Sequence, residues 1–306
     1  MTTLIKAAEL WIPDADGQIL ELSAGLYGAA GAFGFLSRGM CFGRGEGLPG
    51  KAWEERRPIL LKDLQSGPFR RAEAARAAGL SCAVAHPVFV EQTCKAVVLL
   101  FCGDVQAEVG AVELWRNDPR VTPDMTLADG YYGATPGGFE TASGETYLER
   151  GTGLPGLAWQ HEASVYFPDL SRAAGFPRAA AAASAGIRSG MALPCPVPGR
   201  ENYALSFLWP AGVPVARRVE SWTVAAAGHP PTLAYRFDAG LDGADDANAA
   251  TGAAGAAGET PGAAVARALA TALPQVEAAP GPGHHGVLAL PIVIDTLVAE
   301  VVAFSL

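Results

Sequence analysis

Arg44-Gly45-Glu46-Gly47-Leu48-Pro49-Gly50-Lys51-Ala52-Trp53 is the stretch on which the reading of this chain turns, because it returns as Arg150-Gly151-Thr152-Gly153-Leu154-Pro155-Gly156-Leu157-Ala158-Trp159. A reduced form follows, Gly258-Glu259-Thr260-Pro261-Gly262-Ala263-Ala264. Two other landmarks flank each copy in the same order. Upstream lie Glu9-Leu10-Trp11, Glu113-Leu114-Trp115 and Glu220-Ser221-Trp222. Downstream lies an apolar segment interrupted by proline, at Pro87, Pro194 and Pro291. The opening Glu and the turn proline are 40, 42 and 41 residues apart, whereas the turn proline and the strand proline are 38, 39 and 30 apart. A fixed period of this kind marks a repeat. It predicts three units, 1–106, 107–215 and 216–306, of which the third has lost about eight residues from its second half.

Within a unit, the Glu-Leu-Trp segment opens a strand. Pro13-Asp14-Ala15-Asp16-Gly17 reads as a turn, and Ile19, Leu20 and Leu22 as the returning strand of a hairpin. The Gly-x-Gly-Leu-Pro-Gly stretch combines glycines suited to positive φ with a proline suited to a first helical turn, and predicts a short helix through Ala52-Trp53-Glu54-Glu55. Pro58-Ile59-Leu60-Leu61 reads as a strand, and Phe69 to Ala78 as a helix ended by Gly79. Cys82–Val90 and Lys95–Cys102 are continuous apolar strands that need cover on both faces. The fold class expected is therefore α/β of the α+β kind: three units, each a central antiparallel sheet with helices packed against it. Gly and Ala dominate residues 239–264, which are expected to form a loop inside the third unit.

The chain has 306 residues, half of them apolar, and a net charge of −9. An acidic balance argues against binding a phosphate backbone, so nucleic acid is not an expected partner. No run approaches the roughly 20 apolar residues of a membrane span, and the N-terminal residues do not resemble a secretion signal. The cysteines, Cys41, Cys82, Cys94, Cys102 and Cys195, are odd in number and carry no CxxC pair. Free thiols in the cytoplasm, or another reducing soluble compartment, follow.

These residues resemble the second half of a GAF domain of the bacterial sensor-kinase type. The likeness lies in Gly47 to Trp53, Pro58 to Leu64, Phe69-Arg70-Arg71-Ala72 and Gly79-Leu80 running into Pro87. It recurs in Gly153 to Gly156, Phe167-Pro168-Asp169-Leu170, Phe176-Pro177-Arg178-Ala179 and Gly186-Ile187 leading to Pro194. It covers most of residues 1–215, and the third unit joins only through the repeat. The resemblance implies a sheet of about six strands holding a small ligand, or nothing, between the sheet and the loops over it. The output domain such proteins usually carry is missing from this chain, and fold alone does not settle function.

Seven residues are candidates for contact with a ligand. Asp63 with Arg71, and Asp169 with Arg178, fall where they would flank a pocket mouth; the structural alternative is a capping Asp and a solvated helix Arg. Trp53 and Trp159 read as stacking platforms or core anchors. His86 interrupts an apolar strand where Leu193 and Leu290 stand in the other copies, and reads as a ligand, a pH sensor or a buried hydrogen-bonded residue. His284-His285 would point to opposite sides of a strand, which suits no single metal. Cys82 and Cys94 are placed to approach each other across their hairpin. No cofactor, metal or catalytic residue is assigned. The expected function is a non-enzymatic small-molecule-binding or regulatory protein. The alternatives are a structural subunit in an assembly of protein partners and a thiol-dependent redox enzyme.

Overall fold

The computed structural model describes residues 2–65, 69–103, 109–225, 229–239, 259–278 and 286–306. The expected loop at 239–264 is therefore described only at its two ends, and His284-His285 lie outside the described residues.

The first segment runs β1 (Ile5–Pro13), β2 (Ile19–Leu26), α1 (Gly31–Ser37), β3 (Cys41–Gly43), α2 (Gly47–Glu55), β4 (Ile59–Leu61), α3 (Ala72–Ala77), β5 (Cys82–Val90) and β6 (Thr93–Cys102). The second runs β7 (Val109–Asn117), β8 (Met125–Gly133), α4 (Gly137–Gly144), β9 (Tyr147–Leu148), α5 (Gly153–His161), β10 (Val165–Phe167), α6 (Ala179–Ser184), β11 (Ile187–Pro194) and β12 (Asn202–Pro210). The third contains β13 (Arg218–Thr223), β14 (Thr232–Asp238), α7 (Ala263–Thr271), β15 (Gln275–Glu277), β16 (Val287–Ile294) and β17 (Leu297–Ser305). The protein is thus mixed α+β. Its three antiparallel sheets have orders β3-β2-β1-β6-β5-β4, β9-β8-β7-β12-β11-β10 and β14-β13-β17-β16-β15. In each, the first strand of the segment pairs with the last.

The Gly-x-Gly-Leu-Pro-Gly stretch is itself the first turn of α2 and α5, which begin earlier than the sequence pattern suggested. A Cβ on Gly50 would lie 2.0 Å from the Gly43 carbonyl oxygen, and one on Gly156 would lie 2.4 Å from that of Glu149. In addition, Gly45 and Gly151 donate backbone bonds to the Gly50 and Gly156 carbonyls at 2.9 and 2.8 Å. Close backbone approach is what these glycines supply.

Among the described residues, helices cover one face of each sheet. Under them sit Trp11, Trp115 and Trp222, all buried, in separate outer cores. The opposite faces meet in a single inner core. Ile5, Val84, Val98 and Leu100 of the first sheet join Val112, Leu193, Leu205 and Phe207 of the second and Val219, Leu290, Val302 and Phe304 of the third. The second cover that β5 and β6 require is therefore another sheet, where the sequence pattern suggested helices. Tyr166, Trp209, Tyr235 and Phe237 stack along the seam of the second and third sheets, with Tyr166 and Trp209 parallel at 6.0 Å. Beside them Glu300 is buried, and it accepts bonds from Ser221 and from the Ser164 hydroxyl and N–H. Among the described residues no helix is long and apolar enough to cross a membrane.

Candidate functional site

In the first sheet the space beneath α1 and α3 is organised by Glu9, at the centre of β1. Arg71, the residue preceding α3, reaches back to it through two guanidinium bonds of 2.5 and 3.2 Å. Trp11 Nε1 donates to the same carboxylate at 3.0 Å and Tyr27 Oη at 3.2 Å, while Arg71 also donates to Ser37 Oγ at 2.5 Å. The ring of Phe33 lies 4.4 Å from the guanidinium. Both charges are buried. The second sheet repeats the network with Glu113, Arg178, Trp115, Tyr132 and Ser143, its closest ion-pair distance being 2.6 Å. Burial and the adjacent carboxylate push the Tyr27 and Tyr132 phenols well above their ordinary range.

A buried ion pair survives when its remaining donors and acceptors are met, as they largely are here. These side chains lie buried between each of the first two sheets and its helices. Arg71 and Arg178 are neither solvated nor partnered with Asp63 and Asp169. The third sheet dispenses with the network: Glu220 keeps its Trp222 bond at 3.1 Å but pairs with Arg236, which is 35% exposed. Both recurrences, the Glu before each Leu-Trp and the Arg in Phe69-Arg70-Arg71 and Phe176-Pro177-Arg178, are visible in the sequence; what sequence reasoning missed is that they pair with each other.

The other candidates are scattered. Asp63 is exposed and accepts from the Gln65 N–H at 2.7 Å; Asp169 accepts from the Ser171 N–H and hydroxyl, which lowers its pKa. The alternation along β5 puts His86 on the inner face with Val84 and Val88, at the level of Leu193 and Leu290. Its Nδ1 is buried without a partner among the described residues, and burial lowers its pKa to about 4. Cys82 sits opposite Cys102 in the β5–β6 register, and Cys94 opposite Phe89, so the two cysteines expected to approach each other do not. All the cysteines are free. Burial pushes the Cys94 and Cys195 thiols up to about 12. Among the described residues no group of three or more His, Cys, Asp or Glu is arranged to hold a metal ion.

Trp53 does border open space. It lines a cleft of about 230 Å³ at the hairpin ends of the first sheet, with Arg44, Arg56, Phe89, Gln92 and Cys94. The Arg44 guanidinium lies 4.3 Å above the Trp53 ring and that of Arg56 lies 5.5 Å from Phe89. Trp159, on α5, has Arg150 at 5.6 Å. A second cleft, of about 310 Å³, joins the first two sheets at Arg57, Arg120, Arg200 and Tyr203, where Glu201 binds Arg116 at 2.8 Å and Arg120 at 2.7 Å.

The class defined is thus a mixed α+β protein of three curled antiparallel sheets with helices on their outer faces. Comparison with protein-family models finds no match, and comparison with curated proteins finds none either. Solved structures similar to part of the chain include free methionine-R-sulfoxide reductase from Neisseria meningitidis, at 21% identity over 32% of this chain and 51% of that one, with a TM-score of 0.25. The GAF domain of A. aeolicus nlh2 is similar at 21% identity, 32% and 58% coverage and a TM-score of 0.26. That of a phosphoenolpyruvate-protein phosphotransferase from Coxiella burnetii gives 17%, 33% and 56%, and 0.27. The matched part spans between about half and three fifths of these chains.

Proposed function

We propose that this chain is a non-enzymatic small-molecule-binding or regulatory protein of three tandem GAF-like units, 1–106, 107–215 and 216–306, with its ligand site in the cleft beside Trp53. The observation that carries this is the cleft itself. It is open, it is lined by an aromatic ring with a guanidinium stacked on it, and Arg44 makes no ion pair among the described residues. Surface arginines near carboxylates usually pair, as Arg57 and Arg70 do with Glu55 and Glu46. A cation without an ion pair, over the ring of a buried Trp at the wall of an open cleft, is the arrangement a ligand completes. On this reading Arg71 and Arg178 are architectural, and the third unit contributes packing.

The test is ligand screening by native mass spectrometry across nucleotides, tetrapyrroles and small metabolites, with the Trp53 indole N–H resonance, assigned through Trp53→Phe, as the site-specific probe. A bound species that shifts this resonance supports the reading; no bound species and no shift across the set removes it. A second reading, a structural subunit of a larger assembly, is favoured by Phe35 and Leu36, 72% and 49% exposed at the end of α1. A protein that runs only as a free monomer or homodimer in native extract would exclude it.

A further inference from the structure

We infer that the Trp53 cleft selects an oxyanion, a carboxylate or phosphate group, held between Arg44 and Arg56; the inference rests on the cleft being a ligand site. Of the residues facing it, Pro13, Gly17, Trp53, Phe89, Gln92, Thr93 and Cys94 carry no charge, so two guanidiniums stand there with no acid among them. The Arg44 guanidinium is held 4.3 Å over the Trp53 ring and makes no hydrogen bond or ion pair among the described residues, which leaves its N–H groups for a ligand. Arg56 directs Nη2 to the backbone oxygen and side chain of Gln92, at 3.3 and 2.5 Å, which anchors the group and leaves Nη1 and Nε without a partner among the described residues. Two anchored forks facing one space suit a planar or tetrahedral oxyanion.

The repeat supplies an internal control. The residue after α2, α5 and α7 is left-handed in every case, with φ of 55° at Arg56, 53° at Glu162 and 54° at Ala272. Glycine or asparagine is what such a position ordinarily favours, so the backbone does not call for arginine. In the second unit the same position of the repeat carries the opposite charge, Glu162, while Arg150 is the counterpart of Arg44, which leaves the double cation to the first unit. The floor offers no competing anion: Arg44 and Arg56 draw the Cys94 thiol downward, but burial prevails and keeps it protonated. The cleft, of about 230 Å³, has room for such a group between the two guanidiniums.

The intact chain is titrated with inorganic phosphate, succinate and uncharged succinamide at constant ionic strength, following the Trp53 indole resonance. Saturable shifts with phosphate or succinate and none with succinamide are expected, and the stronger of the two names the acid group. Arg56→Glu, which copies the second sheet, should weaken binding at least tenfold with an unchanged unfolding midpoint, and Arg56→Lys should retain part of it. Equal binding of succinamide, or undiminished anion binding by Arg56→Glu, overturns the oxyanion assignment. A Trp53 shift caused only by uncharged compounds does so too, while leaving the cleft as a site; no shift with any compound removes both.

Discussion

Arg71→Ala tests the reading of the buried networks most directly. It leaves the Glu9 carboxylate buried, with Trp11 and Tyr27 as its remaining donors, and it strips Ser37 of its cationic partner. Removing one member of a buried pair costs about 3–5 kcal/mol, because the other charge stays desolvated. With a urea slope of about 3 kcal/mol/M, the midpoint should fall by about 1–2 M. The assay is equilibrium unfolding followed by far-UV circular dichroism and tryptophan fluorescence. The double substitution Glu9→Gln with Arg71→Met should recover about half of the loss or more, since no unpaired charge then remains. Arg178→Ala should behave like Arg71→Ala. Arg236→Ala, which removes a partly exposed guanidinium shared by Glu220 and Glu259, should cost less than about 1 kcal/mol. A loss under about 1 kcal/mol for Arg71→Ala, or strict additivity in the double variant, would refute the reasoning.

Two further outcomes follow from the core and the turn. The His86 pKa is lowered from 6.5 to about 4, so the unfolded chain binds the extra proton first; stability is full above about pH 6.5 and declines as pH falls toward 4, by about 3 kcal/mol in total. His86→Leu, the residue found at this place in the other two sheets, should remove that decline, which urea midpoints measured at about pH 7 and about pH 4.5 would show. Gly50→Ala should cost about 3 kcal/mol or more, since its Cβ meets a backbone oxygen at 2.0 Å, whereas Gly79→Ala, with φ 65° and open space around it, should cost only about 1 kcal/mol. Thermal midpoints that rank the two the other way would contradict the close-approach role of the glycine motif.

Much of the fold was legible because short-range chemistry dictates it. The apolar runs of β5 and β6, the Asp14–Gly17 turn and the helix stop at Gly79 are all local signals, and the structure places each within a few residues of the pattern. What covers the inner faces was not legible, because continuous apolar strands look the same whether a helix or a sheet lies over them. The site was harder still. Glu9 and Arg71 are 62 residues apart in sequence, and only folding shows that the charge Arg71 answers is on β1 and not at Asp63. Trp53 was picked out by the repeat. Arg56 was not, because its significance lies in contrast with Glu162, a difference that a search for similarity passes over.

The common inner core has a consequence for synthesis of the chain. Each sheet closes only when its last strand pairs with its first, so the first sheet can form once Cys102 has emerged, but its inner face stays bare until the second closes near Pro210. At roughly 5–20 residues per second that interval lasts on the order of 5–20 seconds. During it Val84, Val98 and Leu100 face solvent, and again until the third sheet arrives. A slow codon between residues 103 and 210 would lengthen this exposure without altering a single contact in the finished protein.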